Sequence, residues 1–178
     1  MTTCDRNIAH ELRSGLLENE IRRRVVLDLD LCIECRSCGA ACFYGHHEQP
    51  IINYGVTEKV SMPVICRQCT KPACVAACPQ EAMWQDDLSV SKRALELCTG
   101  CGSCIQACPF GVLTTETIRH RVPKCDLCED RVVAGGIPRC VASCPSGALR
   151  FEEVEGTEQE GLLVLSSRTA GHQPLKRR

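Results

Sequence analysis

Aromatic side chains are scarce in this sequence: one Trp, two Tyr and three Phe among 178 residues. Large rings carry much of the buried area of an ordinary core, so a core built from these residues is thin for the length. No run of about 18 apolar residues exists, which excludes a membrane-spanning helix. An excess of one charge is also lacking. Twenty-one basic residues face twenty-two acidic ones, for a net charge of -1, which excludes a nucleic-acid binder that works through a basic field. The opening residues Met1 to Arg6 carry no apolar stretch. Arg22-Arg23-Arg24 runs into Val-Val-Leu-Asp-Leu-Asp, which is too short and too charged for an export signal. The expected location is therefore the cytoplasm. No Ser/His/Asp arrangement and no phosphate-cradling glycine loop is present, so the chain reads as no enzyme by itself.

What the sequence has in excess is cysteine, at 17 residues. That is the density of a cysteine-built scaffold. Disulfides require an oxidising compartment, and both the missing export signal and the odd count speak against them. Sixteen of the cysteines fall into four groups. Cys32, Cys35, Cys38 and Cys42, and again Cys98, Cys101, Cys104 and Cys108, read C-x2-C-x2-C-x3-C. Cys66, Cys69, Cys74 and Cys78 carry two extra residues between the second and third cysteines, and Cys125, Cys128, Cys140 and Cys144 a longer insertion there. Pro79, Pro109 and Pro145 follow the last cysteine of three groups, with Phe43 in the remaining one.

This is the bacterial ferredoxin pattern. Three closely spaced thiolates wrap one cubane. The fourth is expected to start a helix that points elsewhere and to serve the other cluster of a pair, with proline turning the chain away. Zinc ribbons use two separated C-x2-C pairs, often with His. Here that would leave the third and fourth cysteines of each group without a role, and no His sits at ligand spacing. The expected cofactors are four [4Fe-4S] clusters, with a zinc-binding interaction module as the competing reading. Each cluster with its thiolates carries about -2, so the loaded chain would carry about -9. Arg36, Arg67, Lys71, Lys124, Arg131 and Arg139 lie near the motifs as local compensation. Gly100 and Gly102 lie between ligands, where backbone N–H groups can approach sulfur.

The groups begin at residues 32, 66, 98 and 125, a repeat of about 30 residues. Val25-Val26-Leu27 and residues 60–65 precede loops. Ala82-Met83-Trp84, Val112-Leu113-Thr114 and Ala148 to Phe151 follow Cys-Pro steps. This reads as strand, cluster loop, short helix and strand, repeated. The fold class is α+β, with two bacterial-type 2[4Fe-4S] ferredoxin modules made of small antiparallel strand pairs and short helices.

The run Lys124-Cys125-Asp126-Leu127-Cys128-Glu129-Asp130-Arg131, with Gly136, Pro138-Arg139-Cys140-Val141 and Cys144-Pro145, resembles the four-cluster iron–sulfur subunits of molybdenum and tungsten oxidoreductases, the dimethyl sulfoxide reductase type. The resemblance covers about residues 25–152. It implies modules related by pseudo-two-fold symmetry: residues 25–60 plus 119–152 (first and fourth groups) and residues 61–118 (second and third). It also implies the ligand sets. Cys32, Cys35, Cys38 and Cys144 would hold one cluster, and Cys66, Cys69, Cys74 and Cys108 a second. Cys98, Cys101, Cys104 and Cys78 would hold a third, and Cys125, Cys128, Cys140 and Cys42 a fourth. The chain's small size resembles the polyferredoxin subunit of tungsten aldehyde oxidoreductases. Similar small subunits serve carbon monoxide dehydrogenases, hydrogenases and benzoyl-CoA reductases. The implied partners are a large pterin-bearing catalytic subunit and a flavin/NAD subunit, a ferredoxin or a quinone module. A free soluble polyferredoxin is the alternative.

Two extensions flank the modules. Residues 1–24 contain an amphipathic helix candidate, with Ile8, Leu12 and Leu16 on one stripe. Residues 153–178 hold several Glu and then the apolar run Leu162-Leu163-Val164-Leu165. Both are candidates for partner contact or self-association. Cys4 reads as a free thiol, and His46, His47 and His120 as surface residues. With so thin an apolar core, the chain stripped of metal is expected not to fold stably. Amide chemical-shift dispersion checks this: the apo chain should show the collapsed spectrum of an unfolded protein, and native-like dispersion would contradict it.

Overall fold

The computed structural model describes residues 23–46, 51–56, 61–86, 90–120, 122–153 and 162–165. Residues 1–22 of the helical candidate, Cys4 and His47 lie outside them, and the candidate's last two residues, Arg23 and Arg24, open a strand instead of ending a helix.

The apolar run after Arg24 forms β1 (Arg23–Asp28), the centre of a three-stranded antiparallel sheet. Val25, Val26 and Leu27 are all essentially buried, because a central strand covered on both faces needs no polar alternation. On one side lies β6 (Leu149–Glu153), whose Leu-Arg-Phe-Glu pattern does alternate. The register sets Val25 opposite Phe151 and Leu27 opposite Leu149, apolar pairs that close the core. On the other side lies β7 (Leu162–Val164), with Val164 opposite Val26. Leu165 N–H then donates to Val25 O at 2.8 Å. The apolar run 162–165, expected as a contact for another chain, is therefore used internally. Val164 and Leu165 are buried against the chain's own sheet.

Two further antiparallel pairs frame the loops: β2 (Asn53–Val56) with β3 (Ser61–Val64), and β4 (Met83–Gln85) with β5 (Ser91–Arg93). The sheet of β1 and β6 joins the segment before the first cysteine group to the segment after the fourth. The pair β4–β5 joins the exit of the second group to the entrance of the third. Buried apolar residues divide in the same way. One core contains Val25, Leu27, Ile52, Ile65 and Leu149, and a smaller one contains Met83, Leu113 and Ile118.

The helices are short: α1 (Ser37–Gly45), α2 (Ala73–Ala76), α3 (Ser103–Ala107), α4 (Thr115–Arg119), α5 (Glu129–Val133) and α6 (Arg139–Ala142). The third cysteine of each group sits near the start of α1, α2, α3 or α6. The fourth lies inside α1 or just past the end of the others. This corrects the expectation that the fourth cysteine opens a helix. Proline after Cys78, Cys108 and Cys144 disfavours helical backbone at the cysteine itself, and Cys108 is extended (φ -82°, ψ 109°). The spacing of four residues puts the two cysteines on one face, one turn apart.

The expected strand at Val112-Leu113-Thr114 is a loop that leads into α4. Thr114 accepts the Thr117 N–H at 3.2 Å as an N-cap, with Glu116 in the first turn and Arg119 in the last. Local capping and dipole complementarity prevail there over β-propensity.

All four loops share one backbone device. The residue before the second cysteine is left-handed in each: Glu34 (φ 56°), Gln68 (φ 49°), Gly100 (φ 76°) and Leu127 (φ 64°). This conformation turns successive N–H groups inward, as in an anion-binding nest. Three loops accept the strain of a side chain there, about 1–2 kcal/mol each. At Gly100 an added Cβ would meet nothing within 4 Å, so its cost is purely that of the backbone. Gly100→Val is expected to destabilise the loaded chain by about 1–2 kcal/mol, whereas Glu34→Gly at an exposed site is near-neutral. Thermal unfolding by circular dichroism under argon checks both, and equal effects would contradict the shared-strain account.

Candidate metal centre

The loops and helices bring cysteines from different groups together. Cys66, Cys69 and Cys74 share one cavity with Cys108. Cys32, Cys35 and Cys38 line another with Cys144. Cys98, Cys101 and Cys104 line a third with Cys78. Cys42 and Cys140 lie on α1 and α6, which pack on each other; Cys42, Cys128 and Cys140 are buried, and Cys125 interacts electrostatically with Cys42. Cys42 interacts electrostatically with Cys128, and Cys140 with both.

Burial pushes the Cys42 thiol up to about 12, and the neighbouring Cys128 charge adds to the rise. Burial likewise raises Cys74 to about 11, against the opposing pull of Lys124. Cys140 and Cys125 are raised as well, chiefly by burial and then by neighbouring thiolates. Four thiolates in such a pocket repel one another in a weakly screening interior. A cationic iron–sulfur core placed among them removes that penalty. The walls otherwise offer mainly apolar side chains, so the donor set fits a thiolate-ligated cubane.

The sulfurs have specific donors. Arg93 is buried, and its Nη2 donates to Cys98 Sγ at 3.0 Å and to Ile118 O at 3.2 Å. Its Nη1 donates to Thr117 O at 3.1 Å and Val122 O at 2.9 Å. One guanidinium thus satisfies carbonyls from the last turn of α4 and presents a charge to the third quartet. Tyr54 OH lies 3.6 Å from Cys38 Sγ, and it donates to Arg36 O. Backbone N–H groups of Leu149, Arg139 and Gln68 point at Cys144 Sγ, Cys128 Sγ and Cys66 Sγ, at 3.4, 3.5 and 3.5 Å. Such donors stabilise the more negative, reduced state. The exposed thiols of Cys35 and Cys101 are shifted down by hydrogen bonds with Ser37 and Ser103.

Of the six basic residues expected near the motifs, Lys124 is buried among cysteines. Burial disfavours its charge, but the neighbouring thiolates of Cys66 and Cys125 outweigh this and raise its pKa. Arg67 stacks 4.7 Å over the Phe110 ring and donates to Val164 O. Arg139 pairs with Asp130 at 2.8 Å, and Lys71 is exposed. Arg93, Gln68 and Tyr54 were not expected. Arg93 lies five residues before Cys98 and Gln68 lies inside a C-x2-C pair, so proximity in sequence was the available signal for both. Tyr54 comes to Cys38 only through the fold. His46 also departs from its expected surface role: its Nε2 lies 3.7 Å from Cys128 Sγ. Ligand atoms of His46, Asp126 and Cys128 all lie within 4.8 Å of one another. That triad could hold a single ion, in competition with the fourth quartet for Cys128.

No helix among the described residues is long and apolar enough to cross a membrane.

Residues 57–154 match the 4Fe-4S dicluster domain. A tetrathionate reductase subunit of Archaeoglobus fulgidus is 36% identical over 137 residues, covering 71% of this chain and 66% of that protein. The iron-sulfur subunit of formate dehydrogenase-O from Escherichia coli is 32% identical over 173 residues, 82% of this chain and 56% of that protein. YsaA of Escherichia coli, named for electron transport, is 33% identical over 156 residues, 80% of this chain and 97% of YsaA. The chain therefore spans little more than half of the formate dehydrogenase protein, about two thirds of the tetrathionate reductase protein and nearly all of YsaA. With its cysteines gathered into shared sites and these relatives beside it, the chain belongs to the family of 4Fe-4S dicluster domain proteins.

Proposed function

We propose that the chain is an electron-transfer subunit in which the four mixed quartets each hold one [4Fe-4S] cluster, with the ligand sets that the resemblance implies. The carrying observation is where the thiols are exposed. Cys35 of the first quartet and Cys101 of the third are exposed, whereas Cys42, Cys128 and Cys140 of the fourth are buried. Cys38 of the first quartet interacts with Cys140 of the fourth. Cys125 of the fourth interacts with Cys66 of the second. Cys74 of the second shares the smaller core with Cys78 and Cys104 of the third. The order is therefore first, fourth, second, third, with both ends at the surface. Exposed Ile33 stands beside Cys35, and exposed Leu97 beside Cys98. A relay needs two such ends.

In this reading the pseudo-two-fold halves are a 2[4Fe-4S] module each. The clusters supply one-electron chemistry, and the chain supplies spacing, exclusion of water and hydrogen bonds to sulfur. One end meets a large catalytic subunit, a molybdenum- or tungsten-pterin oxidoreductase. The relatives' names favour the formate dehydrogenase or tetrathionate reductase type of complex, with a tungsten aldehyde oxidoreductase as a further member of that class. The other end meets a flavin/NAD subunit, a ferredoxin or a quinone module. The chain itself turns over no substrate and works in the cytoplasm. A free carrier is the second reading, favoured by the near-complete overlap with YsaA.

Two measurements test this. Anaerobically purified chain should contain about sixteen irons with matching sulfide and absorb near 400 nm, and zinc in place of iron would overturn the proposal. Cys108→Ser should remove about four irons. Its electron paramagnetic resonance spectrum should match that of Cys69→Ser and not that of Cys98→Ser. The reverse match would overturn the cross-group ligation.

A further inference from the structure

The second and fourth quartets meet across a buried polar bridge in an otherwise apolar interior. Lys124 Nζ donates to Ser91 O at 2.7 Å and to Cys125 O at 3.1 Å, and it forms a further hydrogen bond with the Cys66 sulfur. Gln68, 2% exposed, runs beside it. Its backbone N–H points at Cys66 Sγ at 3.5 Å, its Nε2 donates to Cys125 O at 2.9 Å, and its Oε1 accepts Ser91 N–H at 2.8 Å. Ser91 is 1% exposed and lies on β5, so the bridge is anchored to a strand rather than to a mobile loop. One carbonyl, that of Cys125, accepts from both side chains. A hydrogen-bonded route thus leads from a ligand sulfur of one quartet to the backbone of a ligand of the other.

We propose that Lys124 is the positioning residue of the crossing between the two modules. Its buried ammonium stabilises the reduced state of the second and fourth clusters together, and Gln68 holds it in place. The inference rests on the reading that these two quartets hold clusters. A compact ammonium is a point charge that can sit between two sites without stacking on either. In a weakly screening interior it favours the added electron on whichever cluster carries it. Both neighbours move in the same direction, which keeps the step between them nearly level. The step is a bare electron transfer: one cluster is oxidised by one electron, the other is reduced by one, and no bond or proton changes place. Arg93 plays no part in this crossing, since its sulfur contact is with Cys98 of the third quartet.

Redox titration followed by electron paramagnetic resonance, on the wild-type chain and on Lys124→Met, Lys124→Gln and Lys124→Arg, tests the proposal. In the two neutral variants, two of the four reduction waves should shift at least tenfold toward the oxidised form, about 59 mV for a one-electron couple. The other two waves should stay in place, and Lys124→Arg, which keeps the charge, should shift the affected two by less than either neutral variant. Unchanged waves in the neutral variants, or an equal shift of all four, would overturn the proposal. If the neutral variants fail to load iron and Lys124→Arg loads it, the cation requirement stands. If none of the three loads, the residue acts through packing and the proposal fails. A wild-type chain that shows no four-wave titration instead defeats the cluster reading itself, before any variant is compared.

Discussion

Gathering thiols from opposite ends of a sequence into shared pockets is unfavourable for the bare chain. Every added thiolate repels the others, and burial pushes each thiol further toward its protonated form, as at Cys42 and Cys74. The architecture makes sense when cationic iron bridges them. With the proposed ligand sets, Cys38 and Cys144 would cross-link the segments next to β1 and β6, and Cys74 and Cys108 the segments around the second and third groups. The sheet of β1, β6 and β7 and the pair β4–β5 lie beside these links. Few large side chains are needed, because the inorganic centres occupy the space that rings and long aliphatic chains fill elsewhere.

The same constraint organises the charges. Most basic residues near the motifs sit at the surface or on rings, where solvent weakens them. Two do not. Arg93 and Lys124 are buried, and each touches cysteine sulfur or backbone as well as carbonyls of the surrounding elements. They serve the second, third and fourth quartets. The first quartet has Tyr54 and the exposed Arg36 instead. The buried cations are thus distributed unevenly, toward the second, third and fourth quartets. In the proposed function an electron rests more readily there than at the first quartet.

The cysteine grouping was legible in the sequence because cluster loops are local. In three of the four groups the whole cysteine pattern fits in fewer than fifteen residues. Strands β1, β3, β4 and β6 were legible for the same kind of reason, each being a short apolar run at a loop boundary. What escaped was decided by capping or by distance. Thr114 reads as strand by composition, yet its hydroxyl caps α4. Residues 162–165 look like an unpartnered apolar run, yet they complete a sheet whose centre lies more than a hundred residues earlier. Tyr54 and His46 reach sulfur only because α1 and β2 fold back on the loops. No pattern in the sequence marks such returns.

In the proposed function each centre takes ligands from two groups and the four centres form a line. Anomalous diffraction at the iron edge, from crystals grown without oxygen, locates the centres and their ligands. Four separate iron peaks are expected in the order first, fourth, second, third, with Cys144 bonded beside Cys32, Cys35 and Cys38. Iron or zinc held by the four cysteines of a single group, or a single ion at His46, Asp126 and Cys128 in place of the fourth cluster, would contradict it.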